Sequence, residues 1–150
     1  MCKFSIDFLP ERYKENEYIG QFGVITLGDF SEKFISSLCD WDEESYTKHW
    51  IKSSERILYD SDRTLFITSM IDNPFNYQLD CWIAYKIGEM VYIQNELIIP
   101  ETYFISNGFN SENLYSYIRD REIYLDDSNQ ISEWVVPLKW IEDYYLRSKA

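Results

Sequence analysis

One histidine, three cysteines, four prolines and five glycines are all that this 150-residue chain holds of those types, and each shortage closes off a class of protein. A lone His49 cannot supply the HExxH pair of a zinc hydrolase, and no P-loop, GxGxxG or GxSxG sequence occurs. Cys2, Cys39 and Cys81 form an odd set without CxxC spacing. That argues against a disulfide framework and a zinc site, and free thiols suit a reducing cytosol. Glycine and proline are scattered singly, so there is no linker, repeat or low-complexity stretch, and residues 1–150 read as one domain. No run of about 18 apolar residues exists to cross a membrane. The N-terminal MCKFSIDFLPERYKENEY returns to charge too early for a signal peptide, and Cys2 follows no lipoprotein-type leader. The expectation is a cytoplasmic protein without membrane association, metal or cofactor.

Basic residues are the other shortage. Lys and Arg number 14 against 26 Asp and Glu, giving a formal net charge of −12 and a pI near 4.4. Such a surface repels phosphate backbones and anionic membranes, which disfavours nucleic acid as a partner, and it attracts basic proteins. Aromatics are abundant instead: 13 Tyr, 9 Phe and 5 Trp, within a chain that is 45% hydrophobic. That content excludes a disordered acidic tail and supports a packed core. Any surplus of Tyr and Trp suits protein–protein contact.

The hydropathy pattern alternates between two periods. Phe4, Ile6 and Phe8 alternate with polar residues as a half-buried strand before Pro10, and 11–17 reads as a solvated charged connection. Gln21 to Leu27 has strand composition up to Gly28-Asp29, and Phe34, Ile35 and Leu38 form a short extended piece. Asp40 or Asp42 caps a helix through EESYTKHWIKSSERILY, whose Tyr46, Trp50, Ile57 and Leu58 share a face with Ser54 between them. Asp60-Ser61-Asp62 ends it. Strand-like runs follow at Thr64–Met70, Tyr77–Ile87 and Met90–Ile99, the last two joined at Gly88-Glu89, with Trp82, Ala84, Val91 and Ile93 on one face. A short helix is expected from Ser111, an acidic loop at 120–130, a last strand at ISEWVV and a helix opened by Pro137 that carries Leu138, Ile141, Tyr145 and Leu146. This order predicts an α+β fold: antiparallel sheet with a long helix after the third strand and a C-terminal helix.

Catalytic chemistry finds little footing, and no catalytic residue is assigned. A Cys–His pair would need His49 to meet Cys39 or Cys81 in space; a core thiol and a histidine on a helix flank is the simpler reading. Asp80 and Glu96 interrupt apolar strand runs, and outward-facing positions on the hairpin account for them. Asp40, Asp42, Glu43 and Glu44 lack EF-hand spacing and suit a helix start.

Taken in order, ITLGDFSEKF, SLCDWDEESYTKHW, LFITSM, WIAYKIGEMVYIQNEL, SYIRDRE and QISEWVVPLKWIEDYY resemble the immunity proteins of bacterial contact-dependent growth inhibition systems. The resemblance spans Ile25 to Tyr145, with VYIQNEL and ISEW its most specific parts, and departs at Ser36-Ser37, where a proline is expected before Leu38. It implies a compact α+β fold, in some relatives similar to the Whirly single-stranded-DNA-binding fold but without that activity. It also implies a non-enzymatic protein that neutralises the C-terminal toxin domain of a delivered effector, often a nuclease, in a one-to-one complex.

In the matching segments, Trp41, Trp50, Tyr92 and Trp134 are expected to build the fold, and Arg121 and Glu133 to form a structural ion pair. Recognition of a basic toxin is expected from the acidic and aromatic segments that match poorly: Asp72, Tyr77, Asp80, Glu122, Tyr124, Asp126 and Asp127. Their carboxylates would stand in for substrate phosphates. Two other readings compete. A DNA-mimic inhibitor would need acids spaced along one elongated face. A small carboxylate-dependent hydrolase would need two carboxylates converging in a pocket with perturbed pKa values.

Overall fold

In the computed structural model, residues 3–73, 76–99, 114–123 and 130–150 are described, with only the backbone at 72, 73, 76 and 77. Strands β1 (Phe4–Glu15), β2 (Tyr18–Leu27) and β3 (Phe30–Ser37) form an antiparallel three-stranded sheet. The supposed solvated connection at 11–17 is strand through Glu15. The chain reverses at Asn16, whose φ of 54° is of the kind asparagine tolerates. Pro10 has no N–H to give the ladder, and the β1–β2 register slips between Phe8 and Arg12. Gln21, 3% exposed, repairs the irregularity. Its Nε2 donates to the carbonyls of Leu9 and of Glu11 (3.0 Å), and its Oε1 accepts from Arg12 (3.1 Å).

Strands β4 (Arg63–Asn73), β5 (Asn76–Ile87), β6 (Met90–Ile98) and β7 (Trp134–Pro137) make a second antiparallel sheet in that order. As expected, β5 and β6 turn at Gly88 (φ 63°) and β2 and β3 at Gly28 (φ 67°). Helix α1 (Glu43–Glu55) follows β3, continues as a π-helical turn (Arg56–Asp60), and is capped by Asp42, whose Oδ1 accepts from Ser45 N–H at 2.8 Å. That bond holds the Asp42 carboxyl below its ordinary pKa. Pro137 precedes helix α2 (Leu138–Lys149), as its fixed φ favours. Of its expected inward residues, Ile141 and Tyr145 are buried, while Leu146 is exposed and Tyr144 takes the buried place.

One hydrophobic core joins the two sheets and both helices. Phe4 packs on Phe66 (5.5 Å) and on Tyr144 (5.3 Å), Phe8 on Trp50 (4.9 Å), and Phe30 on Trp134 (4.5 Å). Ser36 and Ser37, both fully buried, stitch the sheets together. The Ser36 hydroxyl donates to the Thr68 carbonyl, and Ser37 N–H donates to Ser69 Oγ at 3.1 Å. A proline at either place would lack the backbone N–H or the hydroxyl that these bonds use.

The edge of β4 is covered by α1. Trp50 Nε1 donates to the Ile67 carbonyl (2.7 Å), and Ile67 N–H donates to His49 Nε2 (2.9 Å). The Tyr46 hydroxyl accepts from Met70 N–H (2.9 Å) and donates to the Ser37 carbonyl (2.7 Å). These bonds bracket a register irregularity between Ile67 and Ser69. His49 is therefore a buried acceptor, not a flank residue: the helical face is broader than its apolar letters suggested. Burial holds its pKa down to about 3, and the ring stays neutral.

Candidate functional site

The outer face of β6 meets the segment 114–123 in a polar network. Gln94, fully buried, is its hub. Its Nε2 donates to the Glu122 carbonyl and to Glu133 Oε2, both at 2.8 Å, and its Oε1 accepts from Arg119 Nη2 at 2.7 Å. Arg119 also reaches Glu96 Oε1 (3.1 Å). Arg121 grips Glu133 with two bonds, Nε to Oε2 at 2.9 Å and Nη2 to Oε1 at 2.7 Å, and lies 4.5 Å over the Tyr92 ring. Burial works to raise the Glu133 pKa, but the bonds from Arg121 and Gln94 prevail and hold it below the carboxylate norm. The expected Arg121–Glu133 pair is present, with a glutamine between it and a second pair.

β7 ends its pairing at Ile93–Trp134, whereas β6 runs on to Ile98. Beyond that point a groove of about 510 Å³ opens, lined by Glu32, Glu96, Arg119 and Glu122 and walled by Trp82 and Trp134. Trp134 stacks with Phe30 and meets Trp82 edge-on at 5.3 Å, so its ring is fixed. Glu96 Oε2 is a buried oxygen without a hydrogen-bond partner among the described residues. Glu32 and Glu122 are exposed, and neither joins a salt bridge among the described residues.

The anticipated recognition residues divide. Glu122 lines this groove. Asp80 is the register partner of Leu97 at the groove's end; it is half-buried, and desolvation raises its pKa. Asp72 and Tyr77 are register partners farther along the β4–β5 hairpin, while Tyr124, Asp126 and Asp127 fall outside the described residues. Glu96 is not a free outward position as expected, because Arg119 of segment 114–123 lies against it; Asp80, on the opposite face of the hairpin, is half-buried. Sequence reading overlooked Gln94, Arg119 and Glu32. Gln94 carried the one available signal, an amide directly after the run Val91–Ile93 that must find partners once buried.

Enzyme chemistry gains no support from these groups. His49 is occupied by Ile67 N–H and lies 3.4 Å from Ser53 Oγ, and burial pushes the Cys81 thiol up in pKa. Among the described residues no group of three His, Cys, Asp or Glu could hold a metal ion. No helix among them is long and apolar enough to cross a membrane.

The family described as the CdiI N-terminal domain matches residues 36–144. The chain belongs to the CdiI immunity-protein family. It is 30% identical over 121 residues to the immunity protein CdiI of Enterobacter cloacae subsp. cloacae, covering 81% of each chain. It also superposes on a chain of the CdiA-CT/CdiI toxin and immunity complex from Enterobacter cloacae with a TM-score of 0.84 and 27% identity, covering 97% of this chain and 98% of that one. The CdiI family match takes in the network on β6, from Gln94 through Glu133, and the groove's Trp82 and Trp134. Glu32 lies just before it.

Proposed function

We propose that this chain is a non-enzymatic cytoplasmic immunity domain. It binds the CdiA C-terminal toxin domain encoded with it, one to one, and neutralises it by covering the active site or the substrate surface. The observation that carries this reading is the likeness, over nearly the whole chain, to the CdiA-CT/CdiI complex of Enterobacter cloacae. The net charge of −12 supports a basic toxin, and a nuclease, whose surface must attract phosphates, fits that description. Asp72, Tyr77, Asp80, Glu122, Tyr124, Asp126 and Asp127 are the proposed contacts. The DNA-mimic and hydrolase readings have less behind them: Glu133, a carboxyl fixed in place, is tied up by Arg121 and Gln94.

Coexpression tests the proposal. Cells producing the toxin domain encoded upstream survive when this chain is present and stop growing when it is absent. Growth arrest despite soluble, folded immunity protein would sink it.

A further inference from the structure

We infer that Gln94 is a positioning residue for toxin recognition: buried beneath the segment 119–123, it fixes that segment's path and so the place at which Glu122 meets a basic partner. This inference rests on the toxin-binding reading above and adds what sets the geometry of one of its proposed contacts.

Residues 119–123 form neither helix nor strand, so their backbone groups have no ladder of their own and depend on partners from elsewhere. The Arg119 carbonyl accepts from the Tyr85 hydroxyl (2.8 Å), the Glu122 carbonyl from Gln94 Nε2 (2.8 Å), and the Ile123 carbonyl from Ile131 N–H (2.7 Å). Side chains alternate along the segment. Arg119 and Arg121 turn inward, to Gln94 and to Glu133, whereas Asp120 and Glu122 are exposed. Two cations are thus spent on holding the segment, and its outer side is acidic. Asp120 is paired with Arg63 at 3.0 Å, so among the described residues of this segment Glu122 is the carboxylate left for a partner.

Gln94 is fully buried and touches no partner itself. An apolar side chain would suit its place on β6, which follows Ile93 and lies opposite Ile83 in the ladder. A buried amide costs desolvation unless its groups are bonded. Here the nitrogen donates twice and the oxygen accepts from Arg119. A buried polar network satisfied in this way rigidifies and specifies one arrangement. What Gln94 specifies is the line of 119–123 over the sheet, because its bonds reach Arg119 at one end of that segment and Glu122 near the other.

The experiment uses the full chain and the purified toxin domain encoded upstream. Kd is measured for the wild type, Gln94→Met, Arg119→Gln, Glu122→Gln and the double variant of Gln94→Met with Glu122→Gln. A residue that only stabilises the fold cannot move Kd while the chain stays folded, because the binding-competent fraction is already near its maximum. We expect Gln94→Met and Arg119→Gln each to weaken binding about tenfold, the cost of a contact that is no longer preorganised. For Arg119→Gln this runs against charge, since a more acidic chain by itself favours a basic partner. Lys48→Gln, which removes an exposed cation on α1, controls for charge and should not weaken binding. Glu122→Gln should cost about tenfold in the wild type and less than about threefold in Gln94→Met, because the two residues act through one contact. Without toxin, exchange of the Ile131 amide should quicken in Gln94→Met while the β2 amides keep their protection.

The positioning role is overturned, and the toxin-binding function stands, if the wild type binds and Gln94→Met stays within about threefold of it, or if Glu122→Gln costs the same in both backgrounds. Should Gln94→Met not fold, Arg119→Gln, a change at a partly exposed side chain, decides on the same terms. If the wild type does not bind, the functional reading falls and takes the positioning role with it.

Discussion

His49 ties the stability of this molecule to acidity. Its Nε2 accepts the Ile67 N–H inside the core, a bond that a protonated imidazole cannot make. The native pKa is held down to about 3, below the value of about 6.5 in an unfolded chain. The unfolded state therefore takes up a proton that the native state refuses. The contribution of the neutral ring is fully present above about pH 6.5 and is lost as pH falls towards the native value, at about 1.4 kcal/mol per pH unit. Glu133, whose native pKa is also depressed, adds a slope of the same sign, but only as pH falls below the ordinary glutamate range. Urea midpoints between pH 7 and 5.5 isolate the histidine. Wild type should lose about 1.4 kcal/mol across that window, whereas His49→Gln, which keeps an acceptor that cannot protonate, should show a nearly flat profile. Equal slopes for the two proteins would remove His49 from this role.

At the scale of elements, α1 does the work of a neighbouring strand. β4 is the edge of its sheet, and three side chains within about one turn of α1 close that edge: Tyr46, His49 and Trp50. The Tyr46 hydroxyl alone satisfies two backbone groups from different sheets, Met70 N–H and the Ser37 carbonyl. Tyr46→Phe keeps the ring and orphans both. It should cost about 2–4 kcal/mol in denaturant unfolding, and hydrogen exchange of the Met70 amide should speed up well before that of the β5 amides. Loss of stability without faster exchange at Met70 would place the cost elsewhere.

The strands, both helices and the turns at Gly28 and Gly88 were legible in the sequence, because a period of two or of 3.6 and a glycine at a reversal report local geometry. What escaped was set by distant partners. The strand through Glu15 looked like a charged connection because its outer face is solvated, and its pairing with β2 is not written in its own residues. His49 looked peripheral because its partner is 18 residues away. The Arg121–Glu133 pair could be foreseen from two charges in matching segments, while Gln94, which joins it to Arg119 and Glu96, shows only once β6 is laid against 119–122. The groove needs Glu32 from one sheet and Glu122 from beyond the other, which no local pattern brings together.

Across the whole molecule, charge acts in two ways that ionic strength can separate. Many carboxylates are paired locally: Glu43 with Arg12, Glu44 with Lys48, Glu133 with Arg121, and Glu142 and Asp143 with Lys139. All but the half-buried Arg121–Glu133 pair are exposed, and exposed pairs add little to stability, at most about 1 kcal/mol each. They do nothing to offset the net charge of −12: each one-to-one pair cancels within itself, and the two acids on Lys139 leave one negative charge over. The excess is long-range, and a long-range field speeds encounter with a basic partner without tightening the docked contacts. Salt shortens the screening length from roughly 14 Å at 0.05 M towards 4 Å at 0.5 M, so it removes steering first and close contacts last. Stopped-flow association with the toxin domain should therefore slow about tenfold or more over that range, while dissociation changes less than threefold. An association rate indifferent to salt would mean that the acidity of this chain serves its own surface and not its partner.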